Sequence, residues 1–368
     1  MPVPLLDLTA QHEALLPQMH EIFDRTVRAG QFVLGPDLAV FEQGLARVCD
    51  TRHAIGLSSG TDALLAAMMA LGLAAGDEVI VPTFTFFSTA GCVTRLGAKP
   101  VFVDVDPQTC TICPQATRRA LTDRTRAIVP VHLFGQTADM TALLEIASSR
   151  EVPVIEDAAQ AIGAADHGRM AGAMGDVGCL SFYPSKNLAG PGDSGACVTA
   201  NDALAARIRM LRAHGEHGGR YECVGGNFRM DTLTAALLQL KLSFLDGWTQ
   251  ARRAHAGRYD ELFEDLPVVC PREREGCLHV YNQYTIRVGE GRRDDLAAFL
   301  EQRSIGNRVY YPLPLHLQPC YEALGGRPGD CPVAEQACAE VLSLPVYPEM
   351  SVTQQDEVVA ALRDFFKA

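Results

Sequence analysis

The chain has 368 residues, 48% of them hydrophobic and 21% charged, with 44 acidic against 32 basic side chains and a formal net charge of −12. Such a length buries a large core and accommodates one large domain with a smaller companion. The acidic balance argues against a general nucleic-acid binder, which needs a basic surface to neutralise phosphates, but leaves room for a small anionic ligand held by a local cluster of donors.

The opening Met1-Pro2-Val3-Pro4-Leu5-Leu6-Asp7 has no basic stretch followed by an apolar one, and no apolar run reaches the length of a membrane span. The expectation is a cytoplasmic protein with reduced thiols and no membrane partner. Ala54-Ile55-Gly56-Leu57 reads as a strand, and Ser58-Ser59-Gly60-Thr61-Asp62-Ala63-Leu64 joins it to a helix over Thr61 to Leu71. Glycine lets backbone approach an anion closely, Thr61 carries a hydroxyl donor, and a helix N-terminus presents free N–H groups. Taken alone, the stretch is better read as a plain N-cap. Val79-Ile80-Val81 is a short buried strand, followed by Val81-Pro82-Thr83-Phe84-Thr85-Phe86-Phe87-Ser88-Thr89, whose aromatics suit either a core or a face for a planar ligand.

Pro100-Val101-Phe102-Val103-Asp104, Ala127-Ile128-Val129-Pro130-Val131-His132-Leu133 and Val152-Pro153-Val154-Ile155 continue the strands, with a helix over Met140 to Ser149 between the last two. Cys110 and Cys113 form a CxxC, yet no second pair stands at zinc-ligand spacing, so no metal site is expected. The alternation implies crossover connections and a mainly parallel sheet flanked by helices, with ligands beyond the carboxyl ends of the strands. Glu156-Asp157-Ala158-Ala159-Gln160 stands at one such end, although an aspartate capping the next helix is common there.

Some thirty residues on, Ser181-Phe182-Tyr183-Pro184-Ser185-Lys186-Asn187 leads into Gly190-Pro191-Gly192-Asp193-Ser194-Gly195. A lone loop lysine is nearly always a solvated charge, but here it lies between an aromatic strand end and a glycine-rich turn. Further on, Thr232 to Asp265 reads as one long amphipathic helical connection, with Leu233, Leu237, Leu240 and Leu245 on its apolar face. Asn282 to Val288 alternates like a half-exposed strand; Asp294 to Arg303 and Gln354 to Lys367 read as helices. These elements divide the chain into a large domain with an N-terminal arm over residues 1–245 and a smaller α/β domain over 246–368.

A lysine can bond to an aldehyde cofactor, and a strand-end carboxylate can keep a pyridine nitrogen protonated so that the ring withdraws electrons. Lys186 and Asp157 stand where pyridoxal phosphate requires them, with Gln160 in reach of the ring hydroxyl. The order of the pieces, rather than any one of them, carries the reading.

Nearly end to end, the chain resembles the DegT/DnrJ/EryC1/StrS aminotransferases, nucleotide-sugar aminotransferases of aspartate-aminotransferase fold type I. The resemblance rests on Gly30-Gln31-Phe32-Val33-Leu34-Gly35-Pro36, Ser59-Gly60-Thr61-Asp62-Ala63-Leu64, Gly76-Asp77-Glu78-Val79-Ile80 and Gly97-Ala98-Lys99-Pro100. It continues through Glu156-Asp157-Ala158-Ala159-Gln160, Lys186-Asn187-Leu188, Gly226-Asn227-Phe228-Arg229-Met230-Asp231 and Tyr310-Tyr311-Pro312-Leu313-Pro314-Leu315-His316. It implies that Lys186 is the Schiff-base lysine, that Asp157 faces the pyridine nitrogen, and that Phe86 stacks on the ring. Gly60, Thr61 and Ser181 would bind the phosphate of pyridoxal 5'-phosphate, and Asn227 would reach it from the neighbouring subunit of a homodimer. Arg229, Tyr310, Tyr311 and His316 match positions near the nucleotide-sugar, the alternatives being a structural ion pair for Arg229 and a satisfied loop histidine for His316. The family often reads Gly-Asp-Gly-Gly where this chain has Gly192-Asp193-Ser194-Gly195, a change expected to be tolerated.

The implied reaction is transamination of a nucleotide-linked keto-sugar with glutamate as amino donor, at C3 of a UDP- or dTDP-linked 3-keto-hexose, for amino sugars of lipopolysaccharide or a glycosylated natural product. C4 amination and a keto-cyclitol substrate are the alternatives. Lys186 argues against the histidine-bearing sugar dehydratases of the family, and the complete set Asp157, Gln160 and Lys186 against a purely regulatory role. The absence of GxGxxG after the first strand argues against a Rossmann dehydrogenase.

Overall fold

A computed structural model describes residues 2–367. Seven strands make its central sheet: β1 (His53–Leu57), β2 (Glu78–Pro82), β3 (Lys99–Val103), β4 (Thr125–Ile128), β5 (Ile155–Asp157), β6 (Val177–Ser181) and β7 (Gly195–Thr199). Their spatial order is β3-β2-β4-β5-β6-β7-β1, β4 and β5 meeting through the parallel bridges Ile128–Val154 and Val131–Asp157. Pairing is parallel from β3 to β6, while β7 runs antiparallel to both β6 and β1. The expected mainly parallel sheet is present, with a single strand reversed.

Side chains alternate across a strand, and here both faces meet apolar layers. Ile55, Leu57, Val79, Val81, Ile155 and Cys179 pack with the Gly60–Ala70 helix, whereas Ala54, Leu180, Ala196 and Val198 enter a second core, and Ile80, Val103 and Ile128 a third. Double-sided burial is why these segments read as unbroken apolar runs.

Two expected elements differ. The strand expected through Leu133 ends its ladder at Ile128, and residues Leu133–Gly135 form a 3-10 turn with Phe134 at φ 58°. Pro130 brings no N–H to a ladder, but its carbonyl accepts from Asp157 N–H at 2.9 Å, and His132 N–H returns a bond to Asp157 O at 3.0 Å. The long connection after Thr232 is two helices, Thr232–Leu242 and Leu245–Leu262. At the break, Ser243 Oγ donates to Leu240 O at 2.8 Å, a local bond that competes with helix continuation. Leu237 and Leu245 are buried, but Leu233 and Leu240 are only half so; Ala235, Leu238 and Leu242 make the core contacts of the first helix.

A second, separate core lies in the C-terminal third. Val268–Val269, Tyr284–Val288 and Val341–Leu344 pair antiparallel, covered by the Arg293–Gln302 and Val352–Lys367 helices. The Leu245–Leu262 helix runs between the two regions: Leu245 packs in the large core, Ala256 and Tyr259 in the small one. The N-terminal arm crosses as well, since Val3 is buried in the small core and bridges Ile305.

The consecutive carboxylates at the end of β5 point to opposite faces of the sheet. Glu156 is fully buried and accepts from His132 Nε2 (2.8 Å) and from the N–H groups of Gly172 (2.8 Å), Met174 (2.6 Å) and Gly175 (2.5 Å). It ties the 172–175 turn under the sheet and is a structural group. Glu156→Gln would turn an NH2 toward backbone donors, so a loss of about 3 kcal/mol is expected. Urea unfolding of the two proteins measures it, and an unchanged midpoint would remove Glu156 from this role.

Candidate active site

The site is built at the carboxyl edge of the sheet, where β1, β5 and β6 end in Leu57, Asp157 and Ser181. Gly195, first residue of β7, lies between the ends of β1 and β6, paired with both Leu57 and Ser181. The helix beginning at Gly60 therefore starts directly over this edge. A Cβ on Gly195 would stand 2.5 Å from the Ser59 carbonyl carbon, and one on Gly60 would stand 2.7 Å from Ser181 Cβ. Glycine at both places lets the helix start close against Ser181.

The cap above this cradle is self-contained. Ser59 Oγ accepts from Asp62 N–H at 3.0 Å, and the hydroxyls of Ser58 and Ser59 donate to Asp62 Oδ2 at 2.7 and 3.0 Å. Gly60 and Thr61 occupy the first helical positions, whose N–H groups have no carbonyl within the helix to bind. Hydroxyl, free N–H and the positive end of a helix meet there, a combination suited to a phosphate.

Asp157 is 3% exposed; its Oδ2 accepts from Thr89 Oγ1 at 2.7 Å and its Oδ1 from Ala159 N–H at 3.2 Å. Burial pushes this carboxyl above the usual range, while the Thr89 bond, the Ala159 bond and the charge of Lys186 hold it down. The Lys186 amine is pushed down to about 8 by burial, with the Asp157 carboxylate acting in the opposite sense. The two groups thus feel each other's charge across the site.

Loop 182–190 carries the lysine on a fixed backbone. Phe182 N–H donates to Ser194 O (2.8 Å), Gly190 N–H to Phe182 O (2.7 Å) and Lys186 N–H to Tyr183 O (2.8 Å); Asn187 Nδ2 donates to Val280 O (2.9 Å). Ser194, the departure from the family pattern, is 1% exposed, and a Cβ on Gly190 would lie 2.7 Å from its Oγ. Its side chain lies against the one glycine of that turn that leaves it room.

Gln160 and Tyr311 come together across 151 residues: Gln160 Nε2 donates to the Tyr311 hydroxyl at 3.2 Å, and Gln160 Oε1 accepts from Phe134 N–H at 2.6 Å. Phe84 stands edge-on to both Phe134 and Tyr311, with centroids 6.3 and 6.0 Å away. Phe86 is 56% exposed and tilted toward Tyr311 at 6.3 Å, and Tyr310 adjoins Tyr311 at 5.9 Å. Burial, reinforced by the Asp157 charge, raises the Tyr311 phenol and keeps it protonated.

His316 is 4% exposed: Nδ1 lies 2.7 Å from Thr83 Oγ1, while Nε2 stands 3.3 Å from Glu335 Oε1 and makes no hydrogen bond. Segment 227–229 runs beside the end of β1: Arg229 bridges Leu57, Phe228 O accepts from Ser58 N–H, and Asn227 bridges Ala213. Asn227 is exposed within the chain.

Sequence reasoning missed Thr89, which holds Asp157, and His132, whose backbone pairs with Asp157 and whose Nδ1 accepts from Ala138 N–H at 3.2 Å, fixing the proton on Nε2 toward Glu156. Thr89 stood inside the aromatic tract, and a hydroxyl opening a helix after a strand was the available signal. The CxxC cysteines are free thiols, Cys110 in a left-handed turn (φ 57°) and Cys113 at the cap of the Pro114–Ala120 helix.

Known proteins resemble the chain over nearly its whole length. The model of the DegT/DnrJ/EryC1/StrS aminotransferase family matches residues 17–363. A relative from Geobacillus stearothermophilus, named pleiotropic regulatory protein, is 46% identical over 100% of this chain and 99% of its own. The dTDP-3-amino-3,4,6-trideoxy-alpha-D-glucose transaminase of Streptomyces venezuelae is 40% identical over 99% of this chain and 96% of its own. The crystal structure of S. venezuelae DesV in complex with a ketimine intermediate superimposes with a TM-score of 0.97 at 40% identity, covering 100% of this chain and 99% of that one.

The lowered amine gives a test on the cofactor-free protein. Reductive methylation of Lys186 by formaldehyde needs the neutral amine, so its rate should rise with pH and level off above about 8. Asp157→Asn removes the charge that stabilises the ammonium, so the midpoint should move to lower pH. Mass spectrometry of the Lys186 peptide reads both; a midpoint near that of ordinary surface lysines would contradict the geometry.

Proposed function

The chain belongs to the DegT/DnrJ/EryC1/StrS aminotransferase family, and from that premise we propose that it transfers an amino group from glutamate to a nucleotide-linked keto-sugar, at C3 of a UDP- or dTDP-linked 3-keto-hexose. The observation that carries this reading is the facing pair of a desolvated Lys186 amine and a buried Asp157 carboxylate.

The residues present fit pyridoxal phosphate. The Gly60 cradle, which a Cβ would fill, meets Ser181 and the first turn of a helix, and it suits the phosphate. Asp157 lies deep enough to face a ring nitrogen, and half-exposed Phe86 offers an aromatic face. When bound, pyridoxal phosphate supplies an aldehyde for amine exchange and a ring that withdraws electrons from the carbon that loses a proton.

In this reading Lys186 Nζ would hold the cofactor through its aldehyde and, as a free amine, would take and return the proton, a task matched to an amine near 8. Asp157, whose charged form the Thr89 bond favours against burial, would balance a protonated ring nitrogen, and the charge of that nitrogen would itself favour the carboxylate. Gln160 orients Tyr311 at the mouth of the site, where Tyr310, Tyr311 and Arg229 are the candidates for the sugar-nucleotide. His316, whose Nδ1 is engaged by Thr83 and whose Nε2 has no hydrogen-bond partner, is a further candidate.

A homodimer is part of the proposal. Leu16, Phe23, Val27, Phe32, Val33 and Leu34 are each at least 44% exposed along the first helix and the loop after it, an apolar surface that a second copy would cover. Exposed Asn227 is then available to the neighbouring site. The regulatory name of the Geobacillus relative supports a second reading, against which stands the complete Lys186, Asp157 and Thr89 arrangement, superfluous for binding alone.

The test is an absorption spectrum with pyridoxal phosphate, before and after glutamate. Wild type should show the visible band of lysine-bound cofactor and lose it on glutamate addition. A band that ignores glutamate would replace the donor, and no band would overturn the Lys186 assignment. Lys186→Ala should lower turnover at least 10²-fold while still retaining cofactor through the phosphate cradle, as equilibrium dialysis measures.

A further inference from the structure

Outside the groups named so far, one charged side chain is buried beside the catalytic loop without an assigned task. Lys241, in the last turn of the Thr232–Leu242 helix, is 2% exposed. Its Nζ donates to Ala189 O at 2.9 Å and lies 3.1 Å from His12 Nε2. An ammonium donates only, so His12 Nε2 accepts and the imidazole is neutral with its proton on Nδ1. Burial and the Lys241 charge both hold the His12 ring below its usual range, in keeping with that tautomer.

Burying an ammonium is costly, and here the cost is met by one carbonyl, one imidazole and the nearby charge of Glu349, whose Oε1 accepts from Gln11 Nε2 at 3.2 Å. Arg252, also buried, feels the same carboxylate and donates to Tyr281 O (3.3 Å) and Val346 O (2.7 Å). Three distant pieces of chain therefore converge behind the loop: the start of the Thr9–Ala29 helix, residue 241, and the 346–349 segment. Ala189 is three residues beyond Lys186, in a stretch where Leu188 and Ala189 are 0% and 2% exposed. On the other side Asn187 is fastened to Val280 O.

We propose that Lys241, oriented by His12, is a positioning residue that holds the Ala189 carbonyl and so fixes the backbone from which Lys186 acts. A charge-assisted bond is the strong way to hold a single carbonyl. The need is specific to this loop: Lys186 must exchange between a cofactor-bound and a free state while its Cα stays in place. The other bonds of the loop, Lys186 N–H to Tyr183 O and Gly190 N–H to Phe182 O, stay within the loop; only Asn187 and Ala189 tie its middle to distant segments. The role of Lys186 in that exchange rests on the aminotransferase reading; the anchoring itself does not.

The experiment has two arms, on Lys241→Met, Lys241→Arg and His12→Leu. In the cofactor-free protein, amide hydrogen exchange of the peptide over residues 182–195 should quicken about tenfold in Lys241→Met, with distant peptides unchanged. In holoenzyme, the single-turnover reaction with glutamate should slow about tenfold with little change in the glutamate KM, since a displaced general base costs rate rather than binding. Lys241→Arg should recover most of both. If Lys241→Met does not fold, His12→Leu, which keeps the ammonium but frees it, should show the same changes at smaller size. Unchanged local exchange, or a rise spread evenly over the chain, would overturn the proposal. A wild type inert to glutamate would sink the aminotransferase reading, leaving the exchange arm to decide the anchoring.

Discussion

A carboxylate at the floor of a water-poor cleft has to be compensated, and the arrangement around Asp157 is dominated by that requirement. Desolvation drives the group toward its neutral form; one short hydroxyl bond from Thr89, one backbone N–H and the facing Lys186 charge oppose it. Each compensating group comes from a different element, so each element's position is constrained by the same atom pair. Thr89 lies in the first turn of the Ser88–Arg95 helix after β2, Ala159 follows β5, and Lys186 rides the loop between β6 and β7. The strand carrying Asp157 is held in turn by its neighbour, since Pro130 O and His132 N–H bracket the Asp157 backbone.

The two carboxylates of β5 show how one dipeptide serves stability and chemistry together. Alternation along a strand sends neighbouring side chains to opposite faces. Glu156 is surrounded by four donors and has no capacity left for a ligand; Asp157 keeps lone pairs directed toward the cleft. A shift of one residue in register would exchange them, placing a longer, fully engaged carboxylate in the site. The bridge Val131–Asp157 and the ladder Asp157–Cys179 fix that register from both sides.

Much of this was legible in the sequence because its signals are local. A strand ending in Glu156-Asp157, a glycine-flanked helix start at Gly60 and a lysine between an aromatic strand end and a glycine turn all declare themselves within a few residues. What escaped is non-local. Thr89 meets Asp157 across 68 residues and Gln160 meets Tyr311 across 151; nothing in either segment names its partner. The burial of His316 beside Thr83 and Glu335 is likewise decided by packing of distant segments. The helical break at Ser243 was hidden for a different reason: serine and phenylalanine are both tolerated in helices, and only the bond to Leu240 O tips the balance.

The net charge of −12 is no obstacle to an anionic cofactor, because the cradle proposed for its phosphate is assembled without side-chain cations. Gly60 and Thr61 offer backbone N–H groups at a helix start, and Ser181 offers a hydroxyl. Fixed dipoles bind a phosphate through short-range contacts, while the long-range repulsion from surface carboxylates is screened beyond roughly 10 Å at moderate salt. A cluster of lysines in the same place would raise a positive potential beside Lys186 and drive its amine still lower, toward loss of the proton it must carry. Neutral donors separate the two requirements: the phosphate is held, and the proton affinity of Lys186 is left to burial and Asp157.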